Sequence, residues 1–114
     1  MTKAVLYCRS GQLQGFLLEG HAGWGESGID IVCSALSAIT HMTAIGITEV
    51  MALRAQVFTE EKAGRMRLIL HPEDASKAQV LLRAMELELG CIAEQYPGHL
   101  RVIYEERREF KCFS

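Results

Sequence analysis

The sequence predicts an α/β (α+β) sandwich: a mixed sheet of about five strands with two long helices, in the order β-β-α-β-β-α-β. Three observations lead there. Two segments place apolar residues at three- and four-residue steps, the period of a helix buried on one face. Five short segments are rich in Val, Ile, Leu and aromatic residues, as strands are. Glycine- or proline-bearing turns separate them. At 114 residues the chain fits one domain, read as 1–114.

The elements follow in order. "KAVLYCR" (3–9) is a strand that stops at the turn signal Ser10-Gly11. "LQGFLLEGHA" (13–22) alternates loosely and makes a second strand, so the two form a hairpin. From Ile31 to about Leu53 the period changes: Val32, Leu36, Ile39, Thr43, Gly46, Val50 and Leu53 mark one face of a long helix. Asp30 is its natural N-cap, and Ser34, Ala35, Ser37 and Ala38 keep its first turns slim. "AQVFTEE" and "GRMRLILH" are two more strands joined by an "EKAG" turn, the second stopped by His71-Pro72. Glu73 and Asp74 then put negative charge in the first turn of a second helix, where its dipole favours it. Ala78, Leu81, Leu82, Met85, Leu89, Ile92 and Tyr96 give that helix its apolar face, with Gly90 a weak point or an early end. After Pro97-Gly98, "LRVIYEE" is the last strand. The order of strands in the sheet is not readable at this level.

Composition narrows the function classes. A net charge of -2 gives no electrostatic footprint for nucleic acid or an anionic membrane. No run of about 18 apolar residues stands out, and "MTKAVLYCRSGQ" lacks the apolar core of a signal peptide, so a cytoplasmic protein without a membrane span is expected. Its cysteines then stay reduced. Cys8, Cys33, Cys91 and Cys112 form no C-x-x-C, and His21, His41, His71 and His99 are equally scattered, so neither a thioredoxin-type pair nor a metal site is expected. His41, inside the first helix, reads as a packed or interfacial residue rather than a ligand.

The informative stretch is "EGHAGWGESGIDIVCSALS", Glu19 to Ser37. Gly23-Trp24-Gly25-Glu26-Ser27-Gly28 spells G-x-G-x-x-G between a strand and a helix, the dinucleotide-binding fingerprint. The motif starts late after its strand, however. The acid about 20 residues on, which should close the next strand, is Glu49 inside the helix, and Glu60 is too far. A chain this short also has no room for the repeated parallel halves. A plain mobile connection is the second reading, with Cys33 a small buried hydrophobe. The third reading is catalytic. Cys33 would sit at the third helical position, where unpaired N–H groups and the helix dipole favour a thiolate and an oxyanion. His21 is the histidine placed to serve as its base, and the glycines between would open and close over an extended peptide.

At these residues the chain closely resembles the ribosomal-processing cysteine proteases of bacteria, the Prp (YsxB-like) family. The matching block is Gly20-His21-Ala22-Gly23, then Gly28-Ile29-Asp30-Ile31-Val32-Cys33, then Ser34-Ala35-Leu36-Ser37. The resemblance implies a cysteine endopeptidase that removes an N-terminal extension from large-subunit ribosomal protein twenty-seven. It implies His21 and Cys33 as catalytic base and nucleophile, and Asp30 and Ser34 as supporting residues. Gly20, Gly23, Trp24, Gly25 and Gly28 would belong to a mobile substrate loop. It further implies a homodimer, no cofactor or metal, and no direct contact with nucleic acid or membrane. Ser34 departs slightly from the alanine more usual after the cysteine. The rival from another class is a non-catalytic ribosome-assembly or binding module in which His21 and Cys33 are structural.

Overall fold

A computed structural model of the chain describes residues 1–20, 27–60, 62 and 64–107, with residues 27–30 described by backbone alone. The elements are β1 (Thr2–Arg9), β2 (Gln12–Glu19), α1 (Ser27–Ile45), a π-helical turn (Gly46–Val50), β3 (Ala55–Glu60), β4 (Arg65–Leu70), a 3-10 helix (Pro72–Ala78), α2 (Gln79–Gln95) and β5 (Leu100–Glu106). The expected order is thus the observed one. The sheet runs β3-β4-β2-β1-β5, with β1 and β5 parallel and every other pair antiparallel.

Alternation along the strands sorts the side chains onto two faces. One face and both helices share the main core, in which Ala4, Leu6, Leu13, Phe16, Leu68 and Leu70 meet Val32, Leu36, Leu82, Met85 and Leu89. The opposite face carries a smaller cluster of Val5, Tyr7 and Ile69, flanked by Leu17 and Ile103. There the guanidinium groups of Arg107 and Arg67 lie 4.8 and 5.7 Å from the centre of the Tyr7 ring. The result is two layers: a mixed sheet with both helices on one side.

The hairpin β1–β2 turns at Ser10 and Gly11, both with positive φ (51° and 78°), the conformation that matches the twist of the flanking strands. A bulge between Tyr7 and Cys8 then shifts the register. Opposite it, Gly15 lies so close to β4 that a Cβ there would fall 2.0 Å from the Leu68 carbonyl oxygen. Only glycine fits.

The helices depart from expectation in three places. α1 starts at Ser27 rather than after Asp30, so Asp30 is inside the helix and is not its N-cap. At Gly46 the helix passes into a π turn, and the missing side chain leaves room for Leu81 of α2, whose Cδ1 would lie 2.8 Å from a Cβ there. Within the turn Ile47 is fully buried while Val50 is 78% exposed. The second helical segment opens as a 3-10 helix capped by His71, whose Nδ1 accepts the Glu73 N–H, and α2 proper runs through Gly90 to Gln95. Asp74 serves a different purpose from dipole pairing, since it accepts three hydrogen bonds from Arg54.

A further correction concerns membrane-spanning length. Ile31–Val50 is 20 residues long and apolar enough to cross a membrane by length and composition. Its inner face, however, is built into the core through Val32, Leu36 and Ile47.

Candidate active site

Two parts of the candidate site are described: the exit from β2 at Gly20 and Cys33 on α1. The exit from β2 is held rigidly. On the face away from the helices, Glu19 accepts a hydrogen bond from Arg65 Nε at 2.7 Å and pairs with Lys3 at 3.6 Å. The Arg65 hydrogen bond holds the Glu19 carboxyl below its ordinary range, with Lys3 adding to the effect. Gly20 follows, its N–H donating to the Gly64 carbonyl in the β3–β4 turn at 3.3 Å. A Cβ on Gly20 would lie 2.5 Å from Thr2 Cα, and one on Gly64 would lie 2.5 Å from the Gly20 oxygen. Gly64 also has φ +59°, which favours glycine. Thr2 itself is buried, and its N–H donates to the His99 carbonyl. Two glycines and the first residue of β1 therefore fix where β2 ends.

The proposed nucleophile is half-buried. Cys33 lies on α1 directly after Val32, which is buried in the main core, and its sulfur is a free thiol. It is the seventh residue of the helix, not the third. The four unpaired N–H groups of a helix start belong to its first turn, and the dipole acts mainly there. The expectation that these groups flank Cys33 is therefore corrected: α1 begins one turn earlier than the sequence suggested. Gly28, expected in the substrate loop, belongs to α1. Asp30 sits three residues before Cys33, one turn up the helix, and Ser34 is exposed. His21, Gly23, Trp24 and Gly25 lie outside the described residues.

The other described thiols contrast with Cys33. Cys8 is half-buried between β1 and α2; burial pushes its thiol up, and its Sγ faces the Leu6 carbonyl at 3.7 Å. Cys91 is exposed on α2. Cys112 lies outside the described residues. Among the described residues, no three His, Cys, Asp or Glu side chains gather as a metal ion would require. The sheet also answers the dinucleotide reading. The strand before α1 has antiparallel neighbours on both sides, so the parallel crevice that such a motif serves is missing.

Sequence comparison decides between the remaining readings. The family model for the cysteine protease Prp matches residues 1–101. The chain belongs to the Prp cysteine protease family. Curated relatives agree. The ribosomal processing cysteine protease Prp of Staphylococcus aureus (strain NCTC 8325 / PS 47) is 27% identical over 95 residues, covering 83% of this chain and 90% of that protein. The Bacillus subtilis (strain 168) protein of the same name is 29% identical over 91 residues, covering 76% and 81%. Among solved structures, SMU.848 from Streptococcus mutans superposes with a TM-score of 0.83 at 28% identity, covering 94% of this chain and 96% of that one. S. aureus Prp in complex with a substrate peptide has a TM-score of 0.83 at 24% identity, covering 92% and 100%. The chain is thus a cysteine protease of the ribosomal-processing type, and the non-catalytic assembly-module reading is set aside.

Sequence reasoning missed Thr2 and Gly64, the two residues that pin Gly20. Gly64 was visible only as a turn glycine, and its contact with Gly20 exists only once β2 and β4 are neighbours.

Proposed function

We propose that this protease removes the N-terminal extension of large-subunit ribosomal protein twenty-seven, with Cys33 as nucleophile and His21 as general base. The observation that carries the reading is a free, half-buried thiol at Cys33 on the helix that follows the pinned exit at Gly20, in a chain matched to the family over residues 1–101. The Cys33 thiolate attacks the scissile carbonyl, and the resulting tetrahedral oxyanion collapses to a thioester as His21 gives its proton to the leaving amine. Water, deprotonated by His21, then attacks the thioester and frees Cys33. Cys33 N–H lies past the first helical turn, so the oxyanion donors come from elsewhere in the site. Asp30 and Ser34 support the pair, and the glycine-rich segment with Gly23, Trp24 and Gly25 covers the peptide. The protease works in the cytoplasm as a homodimer and needs no cofactor.

The test is incubation with the host's full-length ribosomal protein twenty-seven, weighed by mass spectrometry, beside Cys33→Ala and His21→Ala. One cut near the substrate's N-terminus, lost in both variants, is expected. An intact substrate would overturn the substrate assignment. Cleavage by Cys33→Ala would overturn the nucleophile.

A further inference from the structure

The face of the sheet turned away from the helices has no second layer among the described residues, and its charge is unlike that of the chain. Strand alternation places Lys3, Arg9, Arg65, Arg67 and Arg101 on it, and Arg107 lies over its Tyr7 ring. Its carboxylates are Glu19, Glu60 and Glu105. Six cations thus share a face with three anions, in a chain whose net charge is -2. The helix side supplies the difference: exposed Glu49, Glu73, Glu88 and Glu94 outnumber Lys77 and Arg83. The net charge that argues against a nucleic-acid partner is an average over two unlike sides.

The carboxylates of this face do not neutralise it evenly. Glu19 is taken by Lys3 and Arg65, and Glu60 by Arg65. Glu105 stands opposite Tyr7 on β5. Arg67 and Arg101 form no ion pair among the described residues. The Arg67 guanidinium rests 5.7 Å from the centre of the Tyr7 ring, and its Nε is buried without a hydrogen-bond partner. Directly across the β3–β4 ladder from Arg67, Phe58 is 54% exposed. An aromatic ring and a planar guanidinium therefore stand side by side on an open sheet. These are the two surfaces on which unstacked bases settle.

Dimensions choose among the polyanions. Five strands at about 4.8 Å spacing make a surface about 19 Å across, too wide to enter a major groove of about 12 Å. A membrane surface needs apolar side chains to insert, and Val5, Tyr7 and Ile69 are buried in the single chain. A single strand needs neither groove nor insertion. We propose that this face binds single-stranded RNA, with bases stacked on Phe58 and Arg67 and phosphates met by Arg101 and Arg107. The choice of RNA over DNA rests on the ribosomal substrate proposed above; the surface itself does not. The bound strand lies across the sheet from α1, the helix that carries Cys33.

The test is fluorescence anisotropy of a labelled single-stranded RNA of mixed sequence and about 12 nucleotides, at about 50 mM salt. It is titrated with wild type, Phe58→Ala, Arg101→Glu and Lys77→Glu, all three positions being exposed, and thermal melts confirm that each variant is folded. Wild type is expected to bind. Neutralising about three phosphates makes its Kd rise about 20-fold from about 50 to about 200 mM salt. Phe58→Ala is expected to weaken binding at least about fivefold, the low end for losing one stacked base. Arg101→Glu is expected to weaken it as much, and Lys77→Glu, on the helix side, to leave it unchanged. Wild type that leaves the RNA free at about 50 mM salt would overturn the inference. Binding that neither Phe58→Ala nor Arg101→Glu weakens would overturn it too, as would equal affinity for a duplex. Tighter binding of the same sequence as DNA would overturn the choice of RNA. Co-sedimentation with phosphatidylserine vesicles, lost in Arg101→Glu, in a protein that ignores RNA would assign the face to a membrane. RNA binding by a protein that leaves ribosomal protein twenty-seven intact would support the surface and overturn only the substrate assignment.

Discussion

Gly20 is the residue on which the exit from β2 turns, because its missing side chain is what lets Thr2 close on it, as Gly64's own missing side chain lets that turn close on the Gly20 carbonyl. Gly20→Ala must spread β1 from the β2 exit and so distort the chain where it leaves the sheet. A misplacement of about 1 Å in a catalytic group can cost about 100-fold in rate. Gly20→Ala is therefore expected to lower kcat/KM at least tenfold on a peptide spanning the cleavage site. Activity within twofold of wild type would show that the exit does not position the site. Asp74 illustrates a residue whose charge maintains the fold away from the chemistry. Arg54 donates to it from its side chain and from its backbone N–H, and these bonds hold the Asp74 carboxyl far below its ordinary range. A native pKa below the unfolded one means that ionised Asp74 stabilises the fold fully above about pH 4. That contribution is lost as the pH falls from there through the native value. Asp74→Asn should thus unfold at lower urea than wild type at pH 7, with the gap narrowing steadily as the pH falls below about 4. A gap that stays constant with pH would refute the account.

Among the elements, the strands were legible almost to the residue, β5 fully so, because period-two alternation and flanking turns are local properties. Helix starts were not. Asp30 looked like a cap because the apolar steps begin just after it, yet the backbone coils from Ser27, in a stretch whose glycines hide the period. The same local reading placed Val50 inside, whereas it ends the π turn and is exposed. Tertiary fastening of this kind also joins α2 to the first hairpin. Gln79 Oε1 accepts the Leu13 N–H at 3.0 Å, while its Nε2 donates to the carbonyls of Leu13 (2.7 Å) and Ala75 (2.8 Å). The Leu13 groups lie beside the bulge, where the ladder does not serve them. Gln79→Leu would strand both, at about 1–3 kcal/mol for each buried group left unpaired. We expect a loss of about 2–4 kcal/mol in urea unfolding, with the slope unchanged. A loss under about 0.5 kcal/mol would mean that water replaces the side chain.

At the scale of the whole molecule, two features were beyond the sequence. Strand order depends on which edges find each other, and the placement of both helices on one side depends on that order. The block that carries the family resemblance, by contrast, was legible because Gly-x-Asp-Ile-Val-Cys and the glycines before it are contiguous, so no tertiary information was needed to group them. The fold leaves Cys33 on a helix whose inner face is built into the main core. Binding of a peptide at Cys33, as proposed above, should therefore be felt by the entire cooperative unit. A ligand present at about 100 times its Kd stabilises a folded chain by about 2.7 kcal/mol, and each kcal/mol raises Tm by roughly 4–8 °C in a domain near this size. Cys33→Ala, which binds without turning over, is accordingly expected to melt about 10 °C higher with a saturating peptide spanning the cleavage site. The same peptide with its sequence scrambled should leave Tm unchanged. Equal shifts from both peptides would mean that binding is non-specific. No shift from either, while the wild type still cleaves the intact ribosomal protein, would place recognition on the folded body of the substrate rather than on its N-terminal extension.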